Sequence, residues 1–528
     1  MWQKGWRDQL WSELEQPWDL LIIGGGITGA GIMREASRAG LRALLVEAHD
    51  FASGTSSRSS KLVHGGFRYL KNGQIKLTFE SVRERERLLK EGRGLVNPLG
   101  FLLANYRGDA IPSWVFGAAL IFYDLLAFQW GHRHYDAYDM RELCPPLTSD
   151  GLRGGYRYFD AQTDDARLVL RLIQESVSEG GAALNYTRAG DLLRNRRGQV
   201  RGAILFDESR GGNGRTAEVQ AHAVINATGA WADELRLKMG ERARLRQLRG
   251  SHLIFPVSRV PLTRSVSFLH PVDDRPVFAF PWEGVTLVGT TDVDLDEPLR
   301  ADPAISPAEA EYLLQAAQYA FACQELTPDD VQCTYSGVRP VVNTGKSDPS
   351  KESREYVLWS ENGLLTITGG KLTTFRLMAR EALNKIRMCL PVGPDIKPRQ
   401  RVLSPPPVDV EFPAELSPAA RLRLLGRHGQ NTTALIQSGK ANEFQGIGGT
   451  PALWAELRWA ARSEAVVHLD DLLLRRTRLG LLLPRGGKDC FQSIRAVVQP
   501  ELGWEEARWE TEVTTYLDLW QRCYSPAL

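Results

Sequence analysis

The chain has 528 residues, more than a single hydrophobic core usually holds, so it fits two or three domains. Its 43% apolar and 24% charged residues are ordinary for a globular protein, and a formal charge of +2 gives no reason to expect a nucleic acid partner. Six cysteines are scattered without a CxxC pair, which argues against a disulfide framework or a zinc site and fits a reducing cytosol. No secretory signal is expected, because the N-terminus lacks an apolar core followed by a small-residue cleavage site.

The first 17 residues carry apolar side chains at helical spacing on one stripe: Trp2, Trp6, Leu10, Trp11 and Leu14. The pattern predicts a short amphipathic helix. Two locations fit such a helix, a membrane interface and the surface of its own protein, and the sequence leaves both open.

The clearest motif is a succession of strand, turn, helix and strand. Sequence patterns predict a buried strand at residues 19–23, a tight turn at 24–29 (GGGITG), a helix at 30–39 and a second buried strand at 41–46. This order, complete within about 30 residues, is typical of a dinucleotide-binding βαβ unit.

Three glycines and one acid carry the chemistry of this unit. Gly24 makes the turn, Gly26 lets the backbone approach a pyrophosphate, and Gly29 lets helix and strand pack closely. The start of the helix offers N–H groups and partial positive charge to the phosphates. Glu47, 18 residues after Gly29, is placed to accept hydrogen bonds from ribose hydroxyls.

Residues 53–70 (SGTSSRSSKLVHGGFRYL) form a run rich in small hydroxyl residues and glycines. Such a run suits a loop that donates hydrogen bonds to a polar ligand, and its place after the second strand puts it along the dinucleotide. Leu62, Val63 and Phe67 favour a buried segment over a flexible surface loop.

Seven motifs together are more specific than any one of them. They are residues 24–31 (GGGITGAG), 55–70 (TSSRSSKLVHGGFRYL), 163–168 (TDDARL), 250–252 (GSH), 288–292 (VGTTD), 335–340 (YSGVRP) and 369–376 (GGKLTTFR). In this order, over residues 15–390, they resemble the FAD-dependent glycerol-3-phosphate dehydrogenases and the related glycerol-3-phosphate oxidases. The resemblance weakens beyond residue 390, although 475–478 (RRTR) looks similar to a family feature.

The resemblance implies an α/β fold. We expect a Rossmann-like FAD-binding domain of the two-dinucleotide-binding, D-amino-acid-oxidase-like type, an antiparallel-sheet substrate domain and a C-terminal helical domain. Strands with a period of two between residues 250 and 292 suit the substrate sheet. The oxidoreductase region is expected at 15–395, with FAD-binding parts near 15–100, 150–240 and 330–395, substrate-binding parts near 100–150 and 240–330, a linker at 396–416 and helices at 417–528.

FAD is the cofactor that the resemblance implies, and no metal is expected. The assigned residues lie in the glycine-rich turn, in the hydroxyl-rich loop, at a strand end that looks similar to one beside FAD in such flavoproteins, and in a later glycine turn. They are Gly24, Gly26, Thr28, Gly29, Glu47, Thr55, Ser56, Ser57, Lys61, His64, Gly65, Gly66, Ala227, Thr228, Gly229, Gly370, Leu372 and Thr373.

The implied substrate is sn-glycerol 3-phosphate, oxidised at C2 to dihydroxyacetone phosphate. Its dianionic phosphate needs cationic donors, and the family resemblance assigns four side chains to it: Arg68, Tyr69, Arg339 and Arg354. The catalytic set comprises His252, Lys371 and Arg339. His252 is the first candidate for the base, because its reference pKa is near neutral. Lys371 is the second candidate, on condition that neighbouring cations lower its pKa.

Four local expectations concern these segments. Thr163 is predicted to cap a helix that ends near residue 180, and Ser306 to cap one that ends at 321. His252 is placed at the start of the first strand of the substrate sheet, and Arg339 in a loop.

The apolar stretch 111–130 predicts a buried or interface-lying helix, because Pro112, Asp124 and Gln129 interrupt it as a membrane span. The family resemblance implies a cytoplasmic enzyme bound peripherally to the inner face of the cell membrane, where it reaches quinone. A homodimer is one alternative for the assembly, which the sequence leaves open.

Three alternatives to a quinone-linked dehydrogenase stay open. The oxidase passes electrons to oxygen, although the tryptophan-rich start favours a membrane. An amine or 2-hydroxy-acid oxidoreductase of the same fold needs one carboxylate-binding arginine rather than a cluster. A flavin-containing binding or assembly protein without catalysis is disfavoured by the intact His252, Arg339 and Lys371.

Overall fold

The structure, a computed structural model, describes residues 2–66, 75–109, 112–127, 131–209, 214–321, 324–346, 352–391, 393, 396–397 and 400–526. The strands in these ranges form two sheets, one of eight strands and one of ten. Helices pack against the first sheet and make up the C-terminal region. The predicted fold class is confirmed, whereas the domain boundaries stay predictions.

The bounds of the elements are as follows. The strands are Trp18–Ile23 (β1), Ala43–Val46 (β2), Leu62–Val63 (β3), Val96–Tyr106 (β4), Arg133–Asp136 (β5), Leu152–Thr163 (β6), Ala182–Leu184 (β7), Thr187–Arg194 (β8), Val200–Asp207 (β9), Thr216–Asn226 (β10), Leu245–Pro256 (β11), Ser265–Leu269 (β12), Pro276–Trp282 (β13), Val285–Gly289 (β14), Val293–Asp294 (β15), Cys333–Val342 (β16), Val357–Glu361 (β17) and Leu364–Thr368 (β18). The α-helices are Trp6–Ser12 (α1), Ile27–Arg38 (α2), Ile75–Glu91 (α3), Ser113–Ala127 (α4), Ala137–Leu143 (α5), Asp165–Ser178 (α6), Ala232–Lys238 (α7), Pro307–Ala320 (α8), Phe375–Lys385 (α9), Pro418–His428 (α10), Thr432–Ser438 (α11), Trp454–Ser463 (α12), Leu479–Leu482 (α13), Phe491–Leu502 (α14) and Glu506–Cys523 (α15).

The eight-stranded sheet has the order β17-β18-β10-β1-β2-β7, and β9 joins β10 to β8. The strands from β18 to β7 run parallel, and the residues of β1, β2 and β18 are almost all buried, as in sheets covered on both faces. The carboxyl ends of parallel strands meet at one edge of a sheet. The chain after Ile23, after Asn226 and after Thr368 is therefore gathered at that edge, where open α/β sheets bind their ligands.

The ten-stranded sheet has the order β15-β11-β14-β13-β12-β4-β6-β3, with β16 paired to β11 and β5 to β6. Its pairs are antiparallel except for β4 with β12, so the predicted antiparallel sheet is confirmed. Two local predictions are wrong, because pairing with β16 extends β11 back to Leu245. His252 thus lies within β11 rather than at its start, and Arg339 lies within β16 rather than in a loop.

Helix α1 packs against its own protein. Trp2 is 4% exposed and its ring stacks on Phe51, with the ring centroids 5.4 Å apart, while Trp11 and Leu14 are also buried. Arg7, on the polar side, donates hydrogen bonds to the backbone oxygens of residues 185 and 186. Of the two locations that the sequence leaves open, the structure supports packing within the protein, which uses the apolar stripe that a membrane would require.

The two predicted helix starts have different outcomes. Asp164, not Thr163, caps α6, because its carboxylate accepts a hydrogen bond from the backbone N–H of Arg167, 3.1 Å away. The Thr163 hydroxyl donates to the carbonyl of Leu95 instead. The predicted capping box of α8 is confirmed, since the side chain of Ser306 and that of Glu309 each bond the backbone N–H of the other residue.

Arginines of the C-terminal region form buried ion pairs with the first 170 residues. Arg475 and Arg476 both bond the carboxylate of Asp50, and Arg478 bonds Asp164 at 2.9 Å. All of these side chains are buried. The predicted helical C-terminal region is therefore bonded into the dinucleotide-binding part through charges.

Helix α4 is half-buried with an apolar exposed side. Leu120 and Tyr123 are buried, whereas Trp114 is 72% exposed and Leu125 is 59% exposed. The interface-lying helix predicted here fits this exposure. Among the described residues, no helix combines the length and the apolar character that crossing a membrane requires.

Candidate active site

A cavity of about 1800 Å³ is lined by residues of both sheets. Of the residues predicted to bind the cofactor, fourteen line it: Gly24, Gly26, Thr28, Glu47, Thr55, Ser56, His64, Gly66, Ala227, Thr228, Gly229, Gly370, Leu372 and Thr373. They come from four ends of parallel strands (β1, β2, β10 and β18) and from the hydroxyl-rich loop, as expected for residues gathered at one sheet edge. Their cofactor contacts stay a prediction.

The glycine-rich turn is shaped for a close ligand. A side chain on Gly29 would overlap the carbonyl oxygen of Gly24, and a Cβ on Gly26 would lie 3.1 Å from the Ser56 hydroxyl. That hydroxyl accepts a hydrogen bond of 2.9 Å from the backbone N–H of Ile27, at the start of α2. The cradle therefore fits a pyrophosphate, because its wall is backbone and small side chains.

Glu47 stands at the end of β2 with its carboxylate held in place. One oxygen accepts from the N–H of Gly25 at 2.7 Å, and the other accepts from the N–H of His49 at 2.9 Å. A carboxylate oxygen accepts more than one hydrogen bond, so Glu47 is suited to a ribose. The residues present thus fit FAD, with the turn holding phosphates and Glu47 a ribose.

Four residues of the predicted cofactor set do not line the cavity: Gly29, Ser57, Lys61 and Gly65. Lys61 is fully buried and donates hydrogen bonds to the carbonyl of Ser57 at 3.0 Å and to Asp165 at 3.2 Å. Asp165 also accepts from Ser59. Lys61 and Asp165 therefore hold the hydroxyl-rich loop in place without lining the cavity.

Three predicted cations line the same cavity. Arg339 extends from β16 over β11, where a side chain on Gly250 would take the place of its guanidinium. Arg354 comes from the segment before β17, and Lys371 from the turn after β18. Two predicted phosphate ligands, Arg68 and Tyr69, lie outside the described residues.

The side-chain amine of Lys371 has a pKa shifted from its usual value. Burial, and then the positive charge of Arg354, lower the pKa of Lys371 to about 7. The condition set for Lys371 as a base is thus met mainly by burial and only secondarily by a neighbouring cation. Near neutral pH this amine is poised between its neutral and protonated forms.

His252 lies behind the cavity wall. It is 1% exposed, its ring stacks on Tyr335 with centroids 4.6 Å apart, and its Nε2 is 2.9 Å from the hydroxyl of Ser60, which lines the cavity. Burial, followed by the charges of Arg339 and Lys61, lowers the pKa of His252 well below its usual value. The imidazole is therefore neutral, and it is a weaker proton acceptor than Lys371.

Sequence reasoning missed Asp292 as a site residue. Its carboxylate is buried and bonds both Arg339 and Arg354. The signal was present, because Asp292 ends the motif VGTTD that carried part of the resemblance. A carboxylate beside a predicted phosphate site is a poor candidate from charge alone, and only the folded register reveals its partners.

Comparisons with known proteins fit this geometry. Residues 19–376 match the family described as FAD dependent oxidoreductase, and residues 372–509 match the C-terminal domain of alpha-glycerophosphate oxidase. The aerobic glycerol-3-phosphate dehydrogenase of Staphylococcus haemolyticus is 34% identical over 490 residues, which are 88% of this chain and 87% of that protein. The chain belongs to the FAD-dependent glycerol-3-phosphate dehydrogenase family. The predicted family is confirmed.

Further relatives support this family assignment. The Staphylococcus aureus protein of the same name is 32% identical over 487 residues, 87% of this chain and 86% of its own. The glycerol-3-phosphate dehydrogenase of Bacillus halodurans, solved in complex with FAD, superposes with a TM-score of 0.77 at 29% identity over 98% of both chains. The L-alpha-glycerophosphate oxidase of Mycoplasma pneumoniae, with FAD bound, has a TM-score of 0.58 at 18% identity, covers 74% of this chain and 99% of its own, and shows the shared fold alone.

Proposed function

We propose that the protein oxidises sn-glycerol 3-phosphate at C2 to dihydroxyacetone phosphate and passes the electrons to membrane quinone. The observation that carries this proposal is the meeting of Arg339, Arg354 and Lys371 in the cavity that also contains the glycine cradle. Phosphate-binding cations and a titratable amine are thus close to the place where the cofactor fits. The names of the most similar relatives support the same substrate.

Arg339 and Arg354 serve to bind the phosphate. Guanidinium groups bind phosphate oxygens through paired N–H donors, and two of them neutralise a dianion. The cluster also favours this substrate over an amine or a hydroxy acid, since one carboxylate needs only one arginine. Arg68 and Tyr69 remain proposed ligands of the same phosphate.

Lys371 serves as the base. Its neutral amine takes the proton of the C2 hydroxyl as the hydrogen on C2 leaves as hydride and the C2–O bond becomes a carbonyl. FAD, when bound in its oxidised form, would supply the acceptor of that hydride. Neutral His252 keeps its proton state and holds the Ser60 hydroxyl at the cavity wall.

Helix α4 supports a membrane-bound quinone as the electron acceptor. Its Val115, Phe116 and Phe122 line the cavity, while Trp114 and Leu125 are exposed on the same helix. Aromatic and aliphatic side chains with such exposure suit a membrane interface. We propose that α4 rests on the inner face of the cell membrane and lets quinone reach the cavity there.

An anaerobic titration of the flavin-loaded protein with sn-glycerol 3-phosphate tests the proposal. We expect stoichiometric bleaching of the visible flavin band, fast recovery with a soluble quinone and slow recovery with oxygen. Fast recovery with oxygen identifies an oxidase instead. A band that never bleaches refutes the substrate, and glycerol at equal concentration is the control for the phosphate.

A homodimer also stays a prediction, tested by sedimentation of the same sample.

A further inference from the structure

Asp292 joins two arginines that come from different elements. One carboxylate oxygen accepts a hydrogen bond of 2.8 Å from Nη1 of Arg339, on β16. The other accepts one of 2.5 Å from Nη2 of Arg354, in the segment before β17. The Asp292 side chain is 4% exposed, so water competes little for these bonds.

A third arginine increases the positive charge around this carboxylate. Arg275 has its Nη2 3.8 Å from the oxygen that Arg354 bonds, and its Nη1 lies 3.5 Å from the Asp292 carbonyl oxygen. Three guanidinium groups thus surround one carboxylate. The formal excess of two positive charges matches a phosphate dianion, and the carboxylate reduces the repulsion among the arginines when no anion is bound.

We infer that Asp292 is a positioning residue that holds Arg339 and Arg354 at the spacing and orientation required to bind the substrate's phosphate. This inference rests on the proposed function. A guanidinium carries five N–H donors in one plane, so one donor can bond Asp292 while others bond an anion. Fixing one donor of each arginine restricts the rotation of both guanidinium groups, so less side-chain entropy is lost on binding.

The opposite account is that the carboxylate competes with phosphate for the arginines. The two accounts predict opposite results when Asp292 becomes Asn, which has nearly the same shape but no charge. Loss of positioning weakens phosphate binding. Loss of a competitor strengthens it, because the cluster becomes more positive by one charge.

The test is equilibrium dialysis of the flavin-loaded protein against labelled inorganic phosphate, together with KM and kcat for sn-glycerol 3-phosphate. For Asp292→Asn we expect phosphate binding and substrate KM to weaken by about tenfold or more, the order of magnitude for a lost charged hydrogen bond. We expect kcat at saturating substrate to change less than about threefold. Asp292→Glu, which restores the charge, should recover part of the affinity.

Asp294→Asn is the matched control. Asp294 lies two residues along the chain and makes a two-pronged pair with Arg246, at 2.5 and 2.6 Å, and neither residue lines the cavity. A loss of phosphate affinity in both variants indicates a general structural effect and overturns the inference. So does a fall in kcat with unchanged KM for Asp292→Asn.

The remaining outcomes are also decisive. Unchanged or tighter phosphate binding by Asp292→Asn overturns the inference, as does a wild-type protein that binds no phosphate. If the wild type binds phosphate, the variant binds it weakly and sn-glycerol 3-phosphate reduces neither protein, the proposed function fails and the positioning role stands.

Discussion

Lys371 titrates under the influence of Arg354: burial of the amine and then the charge of that arginine lower the pKa of Lys371 to about 7. Both side chains line the same cavity. The arginine proposed to bind the phosphate thereby also makes the amine easier to deprotonate. In the proposed mechanism, one guanidinium would therefore link substrate binding to proton acceptance.

The rate of flavin reduction should rise with pH through about 7 and level off above it, because Lys371 accepts a proton only when its amine is neutral. Lys371→Arg stays protonated over this range and should reduce flavin more slowly by a factor of roughly 10² to 10⁴. Arg354→Met should move the midpoint to higher pH at saturating substrate. Stopped-flow bleaching across pH 5.5–9 (about two units either side of the midpoint) measures both effects.

His252→Gln separates the two candidate bases. Since burial keeps His252 neutral, we expect the variant to be slower but to retain the midpoint near pH 7. The same stopped-flow experiment applies. Disappearance of the pH dependence in His252→Gln, with its persistence in Lys371→Arg, would assign the base to His252.

Gly26→Val should give folded protein without flavin, because the added side chain lies within 3.1 Å of Ser56 and fills the cradle. Gly100→Ala is the control, since a Cβ there meets its nearest neighbour, Phe159, at an ordinary 3.6 Å. The flavin-to-protein absorbance ratio after purification measures the result. A full flavin complement in Gly26→Val contradicts the cradle assignment.

Arg476→Met should lower the free energy of unfolding by about 3 kcal/mol, because it removes one of two arginines that neutralise buried Asp50. Burial alone would raise the pKa of Asp50, but the charges of Arg476 and Arg475 lower it to about 2. The stabilisation is therefore complete above pH 3.8, the usual pKa, and is lost as the pH falls towards 2. Urea unfolding measures the change, and Arg485→Met, which breaks a solvent-exposed pair, should change the free energy of unfolding much less.

Replacing both Trp114 and Leu125 of α4 by Ser should weaken binding to vesicles of anionic phospholipid, while bleaching by sn-glycerol 3-phosphate stays unchanged. Tyr138→Ser, on the exposed side of α5, is the control. Vesicle co-sedimentation measures the binding. Equal sedimentation of the double variant and the wild type would exclude α4 as the membrane surface.

The parts of the fold that depend on local pattern were predictable. The spacing of Gly24 and Gly29 is constrained locally, because a Cβ on Gly24 would overlap the carbonyl oxygen of Ala227 and one on Gly29 would overlap that of Gly24. The sequence pattern therefore predicts both the turn and its ligand. The strands of the substrate sheet alternate in hydrophobicity, which reveals their existence but not their length. Pairing with β16 extended β11, and no local signal at Leu245 marks that partner.

The parts of the site that depend on long-range pairing were not predictable from the sequence. Asp292 and Arg354 are 62 residues apart, and the bond between them follows from where β14 and β17 lie. The apolar stripe that includes Trp2 suits both a membrane interface and packing against Phe51. Only the position of Phe51 in the fold decides between these two locations. The pKa of Lys371 depends mainly on burial, which spacing in the sequence does not measure.

The pairs of Arg475 and Arg476 with Asp50 have a consequence for the order of events during synthesis. Asp50 precedes the hydroxyl-rich loop, yet its counter-ions leave the ribosome more than 400 residues later. Until then this carboxylate has Asn185 as a hydrogen-bond donor but lacks both arginine counter-ions, and burying a charge without a counter-ion is costly. We therefore expect the hydroxyl-rich loop to reach its final form only near the end of translation, and cofactor loading to follow synthesis of nearly the whole chain.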